Sequence, residues 1–110
     1  MQNDNDALLS ALCECIEACN NCYSSCLQEE DVKMLARCIR LDRDCADICT
    51  LTLSMLSSGS EFTNEIKKLC AEVCDACAQE CSNHEHEHCR QCEETCRACA
   101  NACVGASVTE

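Results

Sequence analysis

The cysteines of this chain recur at fixed steps. Cys15, Cys19, Cys22 and Cys26 are spaced four, three and four residues apart, and the same steps return at Cys70, Cys74, Cys77 and Cys81 and at Cys92, Cys96, Cys99 and Cys103. A fourth copy is recognisable at Cys38, Asp42, Cys45 and Cys49, with Asp in the second position. At about 100° per residue these steps keep all members on a narrow stripe of one helix face, whereas a strand would scatter them to both faces. Four copies predict four equivalent helices. The turn chemistry of a many-stranded protein is missing: Pro is absent, Gly occurs only at Gly59 and Gly105, and Tyr23 and Phe62 are the only aromatics.

The expected helices span about 6–28, 31–57, 61–82 and 87–104 within a single domain, 1–110. Asp4 or Asp6, Asp31, and Ser58 or Ser60 offer N-terminal caps, and Gly105 marks release into the tail Ala106 to Glu110. Short connections make successive helices antiparallel, so the fold class is all-α: an up-down-up-down four-helix bundle with a cysteine-lined core. Small residues near the stripes (Ala18, Ala46, Ala71, Ala78, Ala98, Ala102) favour close approach, while Leu41, Ile48, Leu69 and Val73 fill the flanks. Leu9, Ile16, Tyr23 and Leu27 form a second apolar stripe on the first helix, suited to a helix–helix seam or a subunit contact. The stripes run into Leu8, Leu56 and Ile66, near Phe62, at one end, predicting a dry plug. At the other end they run into Asp31, Met34 and the segment from His84 to Cys89, predicting a ligand-rich mouth.

With 17 cysteines, an odd number, internal disulfides cannot use every thiol. The N-terminus shows no basic and then apolar leader, and no run of about 20 apolar residues would cross a membrane, so the expected location is cytoplasmic, where thiols stay reduced. Metal binding leads. A formal net charge of -12 argues against a nucleic-acid partner and suits cations, although a solvated surface accounts for the same charge.

Neighbouring thiols on one helix turn have Cβ atoms about 5–6 Å apart and can pinch a small ion. The four-apart pairs are Cys15/Cys19, Cys22/Cys26, Cys45/Cys49, Cys70/Cys74, Cys77/Cys81, Cys92/Cys96 and Cys99/Cys103; the three-apart pairs are Cys19/Cys22, Cys74/Cys77, Cys89/Cys92 and Cys96/Cys99. Copper(I) is soft and accepts low coordination numbers, whereas zinc asks for four ligands and calcium or magnesium for oxygen. Because seven of these thiols belong to two pairs, bridging would let the core hold multiple Cu(I) ions, with a capacity near the cysteine count. A thiolate with copper(I) is neutral, so an empty core of protonated thiols could stay folded and release protons on loading. Asp42 is open to three readings: a weak ligand, a hydrogen-bond acceptor, or a partner for Arg43 or another helix. His84, His86 and His88, with Cys89 and Met34, are a candidate entrance site or an idle exposed loop. Cys13 projects nearly opposite the first stripe and falls outside the core.

The repeated C-x-x-x-C-x-x-C-x-x-x-C, together with the segment from Cys38 to Cys49, resembles the bacterial copper storage proteins of the cytosolic type over about residues 12–104. The resemblance implies a four-helix bundle holding copper(I) by paired cysteines, a homotetramer, and a role in copper storage and detoxification with no catalytic function. It carries metal binding onto the stripe cysteines and, less directly, onto Asp42 and the histidine segment; copper donor and recipient proteins are not specified. The alternatives are a zinc or iron–sulfur module, a thiol oxidoreductase, and a disulfide-stapled secreted domain. The first lacks the Gly- or Pro-bearing turns of zinc ribbons and a compact ferredoxin run; the second lacks strands.

Overall fold

In the computed structural model, which describes residues 3–108 and the side chains of residues 5–105, the chain forms four helices. They are α1 (Asn3–Cys26), α2 (Ala36–Ser58), α3 (Thr63–Cys81) and α4 (Glu87–Val108), with a 3-10 turn at Val32–Leu35 before α2. Each helix packs against two neighbours, in the ring order α1, α2, α3, α4, and the molecule measures 47 × 18 × 17 Å. Sulfur contacts give the sense of the helices. Cys15 meets Cys96 and Cys19 meets Cys92 between α1 and α4, while Cys45 meets Cys74 and Cys49 meets Cys70 between α2 and α3. Numbers rise on one helix as they fall on the other, so the neighbours are antiparallel.

The ends differ from the expected spans for local reasons. α1 stops at Cys26 instead of 28, because the N–H groups of Gln28 and Glu29 turn back to the carbonyls of Ser25 and Cys26. Asp6 lies inside α1, and the Asp4 side chain lies outside the described residues. The expected helix 31–57 is divided: Asp31 makes no side-chain cap, and the 3-10 turn precedes α2. Of the two serines before α3, Ser60 does the local work, its hydroxyl accepting the Phe62 N–H at 3.0 Å, and α3 spans 63–81 instead of 61–82. α4 continues through Gly105, which lacks a positive φ, so that glycine does not end the helix at 104.

Gly59 does end a helix. It takes φ 71° and ψ 40°, its N–H reaches the Leu56 carbonyl, and the Ser60 N–H reaches Met55, a left-handed C-terminal cap. A Cβ here would meet nothing within 4 Å, so Gly59→Ala carries only the backbone cost of about 1–2 kcal/mol. Thermal melting should show a drop of several degrees with metal capacity unchanged.

The core is sulfur closed by leucine. Leu8 and Leu12 are fully buried on α1, and Leu35 is fully buried in the 3-10 turn. Each contributes on the order of 1.5–3 kcal/mol by burial. The closed end is less uniformly apolar than expected: Thr52 and Lys67 are also buried there, and Phe62 is 56% exposed instead of plugging it. Thr52 satisfies its hydroxyl on the Ile48 carbonyl at 2.7 Å. Leu69 and Leu27 are exposed, while Leu41, Ile48 and Val73 pack against the core. Tyr23 is half-buried with the Arg43 guanidinium 4.4 Å over its ring.

Candidate metal centre

The helical step that aligns the thiols on each helix brings four stripes together on the bundle axis. Sixteen of the 17 cysteines are buried and all are free thiols; Cys13 is the exposed one. Along the axis the sulfurs form a ladder. Cys49 lies 3.8 Å from Cys70 and from Cys74, Cys45 lies 3.6 Å from Cys74, and Cys15 lies 3.7 Å from both Cys45 and Cys96. Towards the open end, Cys19 lies 3.7 Å from Cys92 and from Cys96, Cys38 lies 3.7 Å from Cys81, and Cys22 lies 3.8 Å from Cys26 and from Cys89. Cys99 and Cys103 continue the α4 stripe to the closed end, both buried.

Three facts of this geometry bear on metal. A disulfide needs sulfurs about 2.05 Å apart, and no contact in the ladder approaches that. A metal–thiolate bond of about 2.3 Å would put the sulfurs of a trigonal site about 4.0 Å apart and of a tetrahedral site about 3.8 Å apart, which matches the separations seen. The quartets also overlap. Cys15/Cys49/Cys74/Cys99, Cys15/Cys19/Cys45/Cys96, Cys19/Cys77/Cys92/Cys96, Cys22/Cys26/Cys38/Cys89 and Cys22/Asp42/Cys81/Cys92 each have ligand atoms within 4.8 Å of one another. Cys15, Cys19, Cys22, Cys92 and Cys96 each belong to two. Separate tetrahedral ions would compete for these shared thiols, and each would leave excess negative charge in a dry core. A monovalent soft ion neutralises one thiolate and accepts bridging.

Asp42 occupies a stripe position and is fully buried. Its Oδ1 accepts from the thiols of Cys77 at 3.3 Å and Cys92 at 3.4 Å, and its Oδ2 faces Cys38 at 3.9 Å. These contacts realise the acceptor reading; the ion pair of Arg43 goes instead to Asp47 at the surface. Burial, followed by the neighbouring Cys92, Cys77 and Cys38, pushes the Asp42 carboxyl up to about 11. Burial likewise pushes the Cys26 thiol up to about 12. Cys19, Cys22, Cys49 and Cys96 are held up first by adjoining thiols and then by burial. Cys15, Cys38, Cys70, Cys77 and Cys92 are held down by hydrogen bonds from adjoining thiols, with burial opposing the charge on each, so the metal-free core alternates thiols that hold their protons with thiols that accept them.

At the open end the expected histidine segment divides. His88 Nδ1 faces the sulfurs of Cys22 at 3.5 Å, Cys89 at 3.7 Å and Cys26 at 3.9 Å. His84 turns away to Glu80 at 2.9 Å, so it does not join His88 and Cys89 as the early-starting helix would require. His86 stacks on His88 and faces Asp31. Met34 is 75% exposed and shares a surface hollow with Asp31, His84 and His86. Glu29, bonded to His88 Nε2 at 2.8 Å, is the mouth residue that sequence reasoning missed. It lies beyond the α1 stripe, and no local period marks it.

The copper storage protein family model matches residues 1–107. The chain belongs to the copper storage protein family. A curated relative, the uncharacterized cysteine-rich protein YhjQ of Bacillus subtilis (strain 168), is 45% identical over 89 residues, covering 81% of this chain and 82% of that one. Among solved structures, the Cu(I)-bound copper storage protein BsCsp3 is 43% identical with a TM-score of 0.89, over 93% of this chain and 96% of that one. A cytosolic copper storage protein from Streptomyces lividans, described with five coppers, is 39% identical with a TM-score of 0.94, over 97% and 94%. The all-α bundle with its cysteine core is therefore the family's fold, and the likeness extends to nearly the whole of each chain.

Proposed function

We propose that this chain stores copper(I) in the cytosol, as a single domain that assembles into a homotetramer and holds many ions on its core thiolates for storage and detoxification. The observation that carries the reading is the overlap of the thiol quartets, which lets one sulfur serve two ions along a continuous axis. The proposed ligands are the stripe cysteines and Cys89, with Asp42 and His88 supplementing them; His84 and His86 belong to the rim. Storage, not catalysis, suits a site whose reactive groups are shielded until metal arrives. Loading replaces each S–H proton with copper and leaves the interior neutral.

Anaerobic titration against a copper(I) chelator tests this. The expected capacity approaches the sixteen buried thiols, while zinc(II) should saturate after a few equivalents. Saturation by only a few copper ions would overturn storage, and native mass measurement checks the tetramer. The route has its own expected result: His88→Ala should slow copper uptake several-fold in stopped-flow measurements at nearly unchanged capacity, because the Nδ1 facing Cys22, Cys26 and Cys89 is lost. His84→Ala should act more weakly, since that ring is held by Glu80. Equal uptake rates for wild type and His88→Ala would rule this route out.

A further inference from the structure

Outside the sulfur core, the connections after α1 and after α3 meet at the open end and assemble a second set of donors of different chemistry. Glu29 Oε2 lies 2.8 Å from His88 Nε2 and 3.5 Å from His86 Nδ1. On the far side of the His86 ring, Nε2 lies 3.2 and 3.3 Å from the two oxygens of Asp31. We propose that His86 Nδ1, His88 Nε2 and Glu29 Oε2 form a binding site for a borderline divalent cation of the zinc(II) class, with Asp31 as the carboxylate that orients His86.

Bonds of about 2.0–2.2 Å to nitrogen and oxygen place tetrahedral ligand atoms about 3.3–3.6 Å apart. The 3.5 Å distance from Glu29 Oε2 falls within that spacing and the 2.8 Å distance lies below it, so seating an ion takes a small outward shift of His88 and a turn of the parallel rings that lets both nitrogens face it. Asp31 adds an independent sign. A ligating histidine commonly donates its other ring N–H to a carboxylate, which sets the tautomer and aims the free nitrogen at the metal. In the proposed site His86 carries its proton on Nε2, which donates to Asp31, and its Nδ1 faces Glu29.

The site takes a different ion from the core because its donors are nitrogen and oxygen, while the softer sulfur lies just inside. Its charge also differs, since the Glu29 and Asp31 carboxylates together balance a dication. His88 belongs to both environments. With Nε2 on a rim ion, its proton stays on Nδ1, which then donates towards Cys22, Cys26 and Cys89 instead of ligating copper. A rim ion and copper therefore compete for one ring, and in the loaded core copper keeps its thiolate ligands when the rim ion takes that ring.

The test is cobalt(II) added to the copper-loaded protein, where the thiols are occupied, alongside zinc(II) titration followed by the ring NMR signals of His86 and His88. The NMR arm works on metal-free protein as well. Copper content measured on the same sample judges the storage reading separately. The expected result is a cobalt spectrum of nitrogen and oxygen donors, with zinc shifting both rings. Binding should be lost in His86→Ala, weakened more than tenfold in Glu29→Gln, and weakened about 10–100-fold in Asp31→Asn. Glu65→Gln, on exposed α3 surface at the closed end, should bind as wild type does. Sulfur-to-cobalt charge-transfer bands in the loaded protein, unmoved ring signals, or unchanged affinity in Glu29→Gln would overturn the proposal.

Discussion

Asp42→Asn is expected to remove most of the fall in stability that the metal-free protein shows between pH 5 and pH 7. The wild-type carboxyl sits fully buried among thiols and is pushed up to about 11, chiefly by burial, against about 3.9 in an unfolded chain. Between those values the folded state holds a proton that the unfolded state has released. Folding therefore weakens as pH rises, by up to about 1.4 kcal/mol per unit. The contribution is complete below pH ~4 and is lost as pH climbs towards 11. Over two units the loss approaches about 3 kcal/mol, a large share of the stability of a small domain. Asn has nearly the same shape and no such proton, so its curve should be close to flat over this range. Urea unfolding of reduced, metal-free samples at pH 5, 6 and 7 provides the comparison. Readings up to pH 7 keep clear of the thiols, which in an unfolded chain titrate near 8.5. Parallel curves for wild type and variant would mean that Asp42 is ionised in the core.

Leu12→Ala should have the other large effect. Leu12 is fully buried on the α1 stripe, next to the last layer of sulfur. Removing its side chain leaves a cavity in a helix-packed interior, at a cost of about 2–5 kcal/mol. For a domain of this size each kcal/mol lowers the melting temperature by about 4–8 °C, so calorimetry of the metal-free protein should register a drop of ten degrees or more. Copper capacity should persist because no thiol is removed. Leu8 and Leu12 also close the end opposite the histidines, so transfer of copper to an external chelator should be faster in the variant. A stability loss without faster transfer would show that Leu12 supports the bundle without sealing it.

The residues of the core were legible because their signal is local and periodic. Steps of four, three and four specify a helix face without knowledge of any other part of the chain, and four antiparallel copies have one economical way to bury them. The same rule reaches residues that the sequence reading passed over. Leu12 links the expected Leu8 to the stripe of Cys15 and Cys19, Leu35 precedes Cys38 by three, Thr52 follows Cys49 by three, and Lys67 precedes Cys70 by three. All five are buried. Thr52 and Lys67 were obscured by polarity, since a buried lysine contradicts the usual expectation for that side chain. Helix ends were less legible, because Gly59 and Gly105 look alike in sequence and only Gly59 adopts a positive φ.

The mouth shows where such reading stops. Glu29 and Asp31 meet His86 and His88 across 55 to 59 residues of sequence, in connections that carry no period. Their partners depend on how two turns fold over the same end of the bundle. The sequence by itself determined that the thiols point inward together, because a helix converts spacing into direction. Only the tertiary structure decided that Asp42 stands among three helices' thiols and that His88 has sulfur on one nitrogen and a carboxylate on the other. Those pairings arise from contacts between elements, and no local rule encodes them.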